Sequence, residues 1–167
     1  MSTKPAAGQS DTVLCAAGGI ADARGILAAL ALGADGAVIG TRFWATQEAL
    51  VDQRLVRPTL AHDGDDTIRT RIVDTVRRID WPGRYFGRVL RSAFIERWHG
   101  DDAGLRQNLP EQERLWQGAA EAADTSVVAP FVGEAISLVR SAQTAANVVT
   151  SIGVDLQKGF RYISGAV

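Results

Sequence analysis

The sequence predicts an α/β fold that opens with two short parallel strands joined by a helix and continues as a mostly helical region. Two apolar runs, residues 12–17 and 37–39, each end at glycine, and a segment of helical periodicity starting at Asp22 lies between them. A strand, a helix and a second strand within about thirty residues form a right-handed crossover, which makes the strands parallel neighbours.

The first apolar run is almost free of polar residues, which is typical of a strand covered on both faces. We therefore expect residues 12–17 to be buried and Cys15 to be an inert core residue. Asp22 is a suitable residue for the N-cap of the helix that follows. The apolar residues after it have helical spacing: Ile26, Leu27, Leu30 and Ala31.

Helices dominate the predictions beyond Phe43. The patterns predict a helix over residues 47–61 that is interrupted at Pro58, an extended segment over 67–72, a turn at residues 81–83, and helices over 87–98, 111–123 and 142–160. Trp81, Trp98 and Trp116 are expected to be packing residues. The chain divides into a flexible segment over residues 1–11, two strand–helix units over 12–61, and a mostly helical region over 62–167.

Composition excludes several classes of function. The 18 Lys and Arg residues nearly balance the 19 Asp and Glu residues, so no strong nucleic-acid or membrane surface is expected. The single cysteine cannot form an internal disulfide, and no metal-ligand spacing is present. No apolar run reaches the length of a membrane span or a signal peptide, so the expected location is the cytoplasm.

The carboxyl ends of the two strands form the candidate site. Each glycine turn taken singly is a common tight turn, but together at one sheet edge they favour a phosphate site, because backbone N–H groups can converge there without side chains in the way. Arg42 is expected to add a positive charge. A recurrent phosphate site lies in the loops after the last two strands of a (β/α)8 barrel. The candidate ligand-binding residues are Gly18, Gly19, Ile39, Gly40 and Thr41.

Three stretches carry a family resemblance: AAGGIADARG from Ala16, ALALGADG from Ala29 and IGTRF from Ile39. They resemble the nitronate monooxygenase family, whose members are FMN-dependent (β/α)8-barrel (TIM-barrel) enzymes that oxidise alkyl nitronates with molecular oxygen. Weaker similarity continues at Trp81-Pro82, residues 88–92 and residues 132–135. The resemblance implies the C-terminal part of such a barrel, its last two βα units, followed by a mostly helical region.

The resemblance also implies roles for individual residues. Gly18 and Gly19 would bind the FMN phosphate through their N–H groups, and Gly40 with Thr41 would complete the cradle. The family's proposed catalytic histidine lies in an earlier motif without a counterpart in this sequence, and His62 and His99 are expected to be surface or packing residues. The resemblance therefore gives no catalytic residue, and the chain alone is expected to be inactive towards a nitronate-like substrate.

Two alternatives remain open. A fragment of an FMN-dependent enoyl-acyl-carrier-protein reductase would share the same phosphate turns. A non-catalytic remnant or interaction module is the other possibility, because a sheet of two strands has unpaired edges that invite pairing with another chain. A homo-oligomer or a partner chain would then cover these edges.

Overall fold

The computed structural model describes residues 12–165, so the prediction for residues 1–11 lies outside the described residues. Four strands, eight α-helices and two 3-10 turns follow one another in the described part of the chain. In chain order they are β1 (Cys15–Ala17), α1 (Ala23–Ala31), β2 (Gly36–Val38), α2 (Thr41–Trp44), α3 (Gln53–Thr59), a 3-10 turn (Gly64–Asp66), β3 (Thr67–Thr70), α4 (Ile72–Val76), β4 (Gly87–Leu90), α5 (Ala93–Trp98), α6 (Asp102–Gln107), α7 (Leu109–Ala122), a second 3-10 turn (Glu134–Leu138) and α8 (Ala145–Ile163).

The first sheet consists of β1 and β2, which pair in parallel as predicted. The register aligns Ala17 with Val38 at the carboxyl ends of the strands. At the other end, the Asp35 carboxylate accepts a hydrogen bond from the Leu14 N–H at 2.8 Å, and the Asp35 N–H donates to the Leu14 carbonyl at 2.7 Å. This reciprocal pair fixes the register, which matters because a one-residue slip would move every side chain to the other face.

The prediction that β1 is buried is wrong. Val13 is 72% exposed, Cys15 and Ala17 are exposed, and Val38 in β2 is 55% exposed. One face of the sheet packs on α1, and no other element within residues 12–165 covers the opposite face. Cys15 is consequently an exposed thiol and not a core residue.

Helix α8 packs along α1 and brings the end of the chain back to the first sheet. The two helices meet closely at Gly159, where a Cβ atom would collide with a methyl group of Leu27. Glycine at this position thus allows the close approach, whereas a Cβ at Gly153 in the same helix would meet no atom within 4 Å.

Two of the predicted helices differ in the structure. Residues 47–52 are not helical. Helix α3 begins after Asp52, whose carboxylate accepts a hydrogen bond from the Arg54 N–H at 2.8 Å. Pro58 lies in the last turn of α3, and no second helix follows it before residue 61. The segment 87–98 is the strand β4 followed by α5, because residues 87–90 pair antiparallel with β3 and Ser92 caps the helix. β3 thus lies in the extended segment predicted over residues 67–72, whereas its partner strand β4 was wrongly predicted as helix.

The apolar core has two parts. The larger cluster gathers α4 to α7 and β4 and includes the buried Trp98 and Trp116, which confirms their packing role. The smaller cluster joins Ala21, α3 and the second 3-10 turn. Trp81 is 53% exposed and is not part of either cluster. Among the described residues, no helix has the length and apolar character needed to cross a membrane.

We expect Gly159→Val to lower the free energy of unfolding by about 1–3 kcal/mol, the usual effect of overpacking a tight contact. Its branched side chain would push against Leu27 and separate α8 from α1. Gly153→Val is the matched control, expected to lie within about 0.5 kcal/mol of the wild type because the space there is open. Urea denaturation measures both variants, and equal stabilities would contradict this account of the α1–α8 contact.

Candidate functional site

The turn after β1 consists of Gly18 and Gly19, which both have positive φ angles, 91° and 73°. L-residues with a side chain rarely adopt this region, so the turn favours glycine at both positions. A Cβ atom on either residue would meet nothing within 4 Å. The backbone conformation therefore favours glycine at both positions of this turn, and the space beside the chain is open.

The turn after β2 contains Ile39, Gly40 and Thr41. Gly40 precedes the short helix α2, and its carbonyl accepts hydrogen bonds from the N–H groups of Phe43 and Trp44, both at 2.9 Å. A Cβ at Gly40 would also meet no atom within 4 Å. Ile39 is half-buried, whereas Gly40 is exposed.

The sheet register places these two turns side by side. Since Ala17 pairs with Val38, the turns start on adjacent strands, which are separated by about 4.8 Å in a sheet. Within residues 12–165, the N–H groups of Gly19 and Gly40 have no hydrogen-bond acceptor. The edge thus presents two free donors, the N–H groups of Gly19 and Gly40, and the open space that an anion would need. We call these two turns the glycine edge.

Charged side chains near the glycine edge are already engaged. Asp22 caps α1 by accepting from the Gly25 N–H at 3.0 Å, so its carboxylate occupies the N-terminus of that helix. That Arg42 adds a positive charge to the site stays a prediction, since its side chain keeps its charge but is held by a neutral partner. Its guanidinium donates to Oε1 of Gln143 at 2.7 Å, at the start of the α8 region.

A contact from the C-terminal region completes the glycine edge. The hydroxyl oxygen of Thr41 accepts a hydrogen bond from the Gly133 N–H at 2.9 Å, across 92 positions of sequence. The Thr41 hydroxyl proton remains available for a ligand. The family resemblance at residues 132–135 includes Gly133, but its contact with Thr41 depends on tertiary structure and no local pattern signals it.

Neither histidine belongs to the glycine edge. His62 Nδ1 lies 2.9 Å from the carboxylate of Asp66, and His99 Nδ1 lies 3.4 Å from the Thr70 hydroxyl. Hydrogen bonds from the Asp63 N–H, the larger effect, and from the His62 side chain lower the pKa of the Asp66 carboxyl. In the described part of the chain, no group of three or more His, Cys, Asp or Glu residues could hold a metal ion.

Comparison with known proteins assigns the family. A protein-family model described as "Nitronate monooxygenase" matches residues 10–155. The chain belongs to the nitronate monooxygenase family. This confirms the resemblance seen in the sequence, and the match includes both turns of the glycine edge and most of the helical region.

Individual relatives agree with this assignment. Nitronate monooxygenase npaC of Metarhizium robertsii is 38% identical over 159 residues, which cover 86% of this chain and 41% of that protein. The structure of nitroalkane oxidase from Streptomyces ansochromogenes superposes with a TM-score of 0.73 at 27% identity, covering 92% of this chain and 42% of the other. FabK from Thermotoga maritima gives a TM-score of 0.67 at 25% identity, with coverages of 92% and 47%. The chain spans about two fifths of the length of the curated relatives it matches.

We expect Thr41→Val to destabilise the fold by about 1–2 kcal/mol, because it leaves the half-buried Gly133 N–H without its acceptor. Thr41→Ser keeps the hydroxyl and should retain most of the stability. Urea denaturation compares the two variants, and amide hydrogen exchange at Gly133 should be faster in the valine variant alone. Equal exchange at Gly133 in both would contradict the proposed link.

Proposed function

We propose that this chain is the FMN-phosphate-binding part of a flavin-dependent oxidoreductase of the nitronate monooxygenase type. The observation that carries the proposal is the position of two unpaired backbone N–H groups, those of Gly19 and Gly40, in adjacent turns at one sheet edge. Phosphate oxygens accept such donors well, and the absence of Cβ atoms allows close approach. Family membership supports the same ligand class.

Each part of the glycine edge has a role in this proposal. Gly18 and Gly19 donate from the turn after β1, Gly40 donates from the turn after β2, and Thr41 adds its hydroxyl proton. Ile39 lies beside these donors at the end of β2 and provides apolar contact. FMN supplies the redox chemistry when bound, whereas this chain binds and orients its phosphate group.

The same proposal assigns the remaining steps of catalysis to residues outside the glycine edge. No titratable side chain of residues 12–165 lies free at this edge, since Asp22 caps α1 and both histidines are engaged elsewhere. The proposed substrate is a small nitronate, with the isolated chain inactive towards it. Oxidation of NAD(P)H would distinguish an enoyl-acyl-carrier-protein reductase from an enzyme of the nitronate monooxygenase type.

A second candidate, a module that associates with a partner chain or with its own copies, is favoured by the uncovered face of the first sheet. Val13, Cys15 and Val38 are exposed there, and neither outer edge of the β1–β2 pair is hydrogen-bonded to another strand among the described residues. Such edges and apolar faces favour association. A molecular mass that rises with protein concentration supports this candidate, and a constant monomer mass contradicts it.

The phosphate assignment is tested by two substitutions of equal size at Gly19. Aspartate and asparagine both tolerate positive φ and differ only by one charge, so the difference between them isolates electrostatics from strain. We expect Gly19→Asp to bind FMN at least tenfold more weakly than Gly19→Asn, a difference of about 1.4 kcal/mol. Fluorescence titration with FMN gives both dissociation constants.

The same pair at Gly40, where φ is −99°, repeats the test without backbone strain. Gly118→Asp is the control for added charge, because Gly118 lies in α7 and a Cβ there meets no atom within 4 Å. It should leave FMN affinity unchanged. Equal FMN affinities for the Asp and Asn variants at both positions would exclude a phosphate at the glycine edge.

A further inference from the structure

A cavity of about 450 Å³ lies between α4, the loop before β4 and Phe131. None of its lining residues belongs to β1, β2 or the glycine edge. Its volume falls in the range of small-molecule sites, which are typically apolar with a few placed polar groups. The family match gives no role to this cavity, and its lining combines aromatic rings with one carboxylate.

The aromatic walls consist of Trp81, Tyr85, Phe86 and Phe131, all of which are exposed to solvent through the cavity mouth. The rings of Trp81 and Tyr85 meet edge to face at 6.2 Å between centroids. Phe131 lies against the backbone of β4, where a Cβ on Gly87 would collide with its ring. Glycine at position 87 thus makes room for this wall of the cavity.

Asp74 is the polar group of the cavity. It lies in α4, and the residue as a whole is only 9% exposed. Its carboxylate forms no hydrogen bond or ion pair with any residue between 12 and 165, and its oxygens keep contact with solvent on the cavity side. Burial raises the pKa of Asp74, and the nearby charges of Arg77 and Arg71 oppose this effect only in part. Because this carboxylate lines the cavity and no protein donor occupies it, a ligand in the cavity can donate a hydrogen bond to it.

The surrounding charges decide which donor fits. One carboxylate and two guanidinium groups, those of Arg71 and Arg77, leave this region with a net positive charge, which disfavours a cationic ligand. The aromatic walls favour a flat apolar body. We propose that this cavity binds a neutral aromatic or alicyclic molecule whose single O–H or N–H group donates to Asp74.

Indole and 1-methylindole form a matched pair of probes, because they share an aromatic body and only indole has an N–H donor. We expect indole to bind the 167-residue chain at least about fivefold more tightly than 1-methylindole, as a gain of one hydrogen bond to a charged acceptor implies. Two-dimensional ¹H–¹⁵N NMR titration gives both affinities. The shifted amides should lie at residues 74–87 and at Phe131.

Asp74→Ala should remove the preference for indole, while Asp65→Ala, which removes an exposed carboxylate elsewhere, should retain it. The wild-type comparison needs no variant, so it decides the question even if Asp74→Ala does not fold. Equal affinities in the wild type, shifts centred outside the cavity, or tighter binding of benzylamine than of indole would each overturn the proposal. None of these outcomes depends on FMN binding.

Asp74 also predicts a pH dependence of stability. A carboxyl group whose pKa is raised in the folded state favours folding when protonated, and this contribution is lost as pH rises through the folded-state pKa. Asp74→Asn should therefore have a higher Tm than the wild type at pH 7. The difference in Tm between the two proteins should shrink towards pH 4, because Asp74 becomes protonated there. Thermal unfolding across pH 4–8 measures this difference. A Tm difference that does not change with pH would contradict this role of burial.

Discussion

The parallel pairing of β1 with β2 is the interaction on which the site depends. Each strand has only three residues, so the ladder itself contributes few hydrogen bonds, and the Asp35–Leu14 pair fixes its register at the amino-terminal end. Because Ala17 pairs with Val38, both strands end at the same edge of the sheet. A one-residue slip would separate the two glycine turns and turn their N–H groups away from a common ligand.

The C-terminal region stabilises this small sheet from several directions. The Gly133 N–H bonds Thr41, Gln143 accepts from Arg42, and α8 packs on α1 through the close contact at Gly159. These contacts join segments about one hundred residues apart in sequence. The helical region thereby supports the site. The opposite face of the first sheet, with Val13 and Val38, stays exposed among the described residues.

The local parts of the fold could be predicted from the sequence because local chemistry determines them. The Asp22 cap, the parallel strands around α1 and the two long helices α7 and α8 follow from spacing and capping. β4 could not be separated from α5, since Val89, Leu90 and Phe94 suit either periodicity and only pairing with β3 decides between them. The apolar residues of β1 predict a buried strand, but burial depends on which elements cover it, and Cys15 and Ala17 are exposed. The Thr41–Gly133 and Arg42–Gln143 contacts, set by tertiary structure, could not be predicted.

The two candidate sites differ in their polar groups: the glycine edge has backbone N–H donors, whereas the aromatic cavity has the carboxylate of Asp74. Phosphate binding at the glycine edge is tested most directly by comparing the affinities of the wild-type chain for FMN and riboflavin, which differ only by the phosphate. Charge-assisted hydrogen bonds contribute about 1.5–3 kcal/mol each, so FMN should bind at least tenfold more tightly. Equal affinities for the two flavins would contradict a phosphate site at the glycine edge.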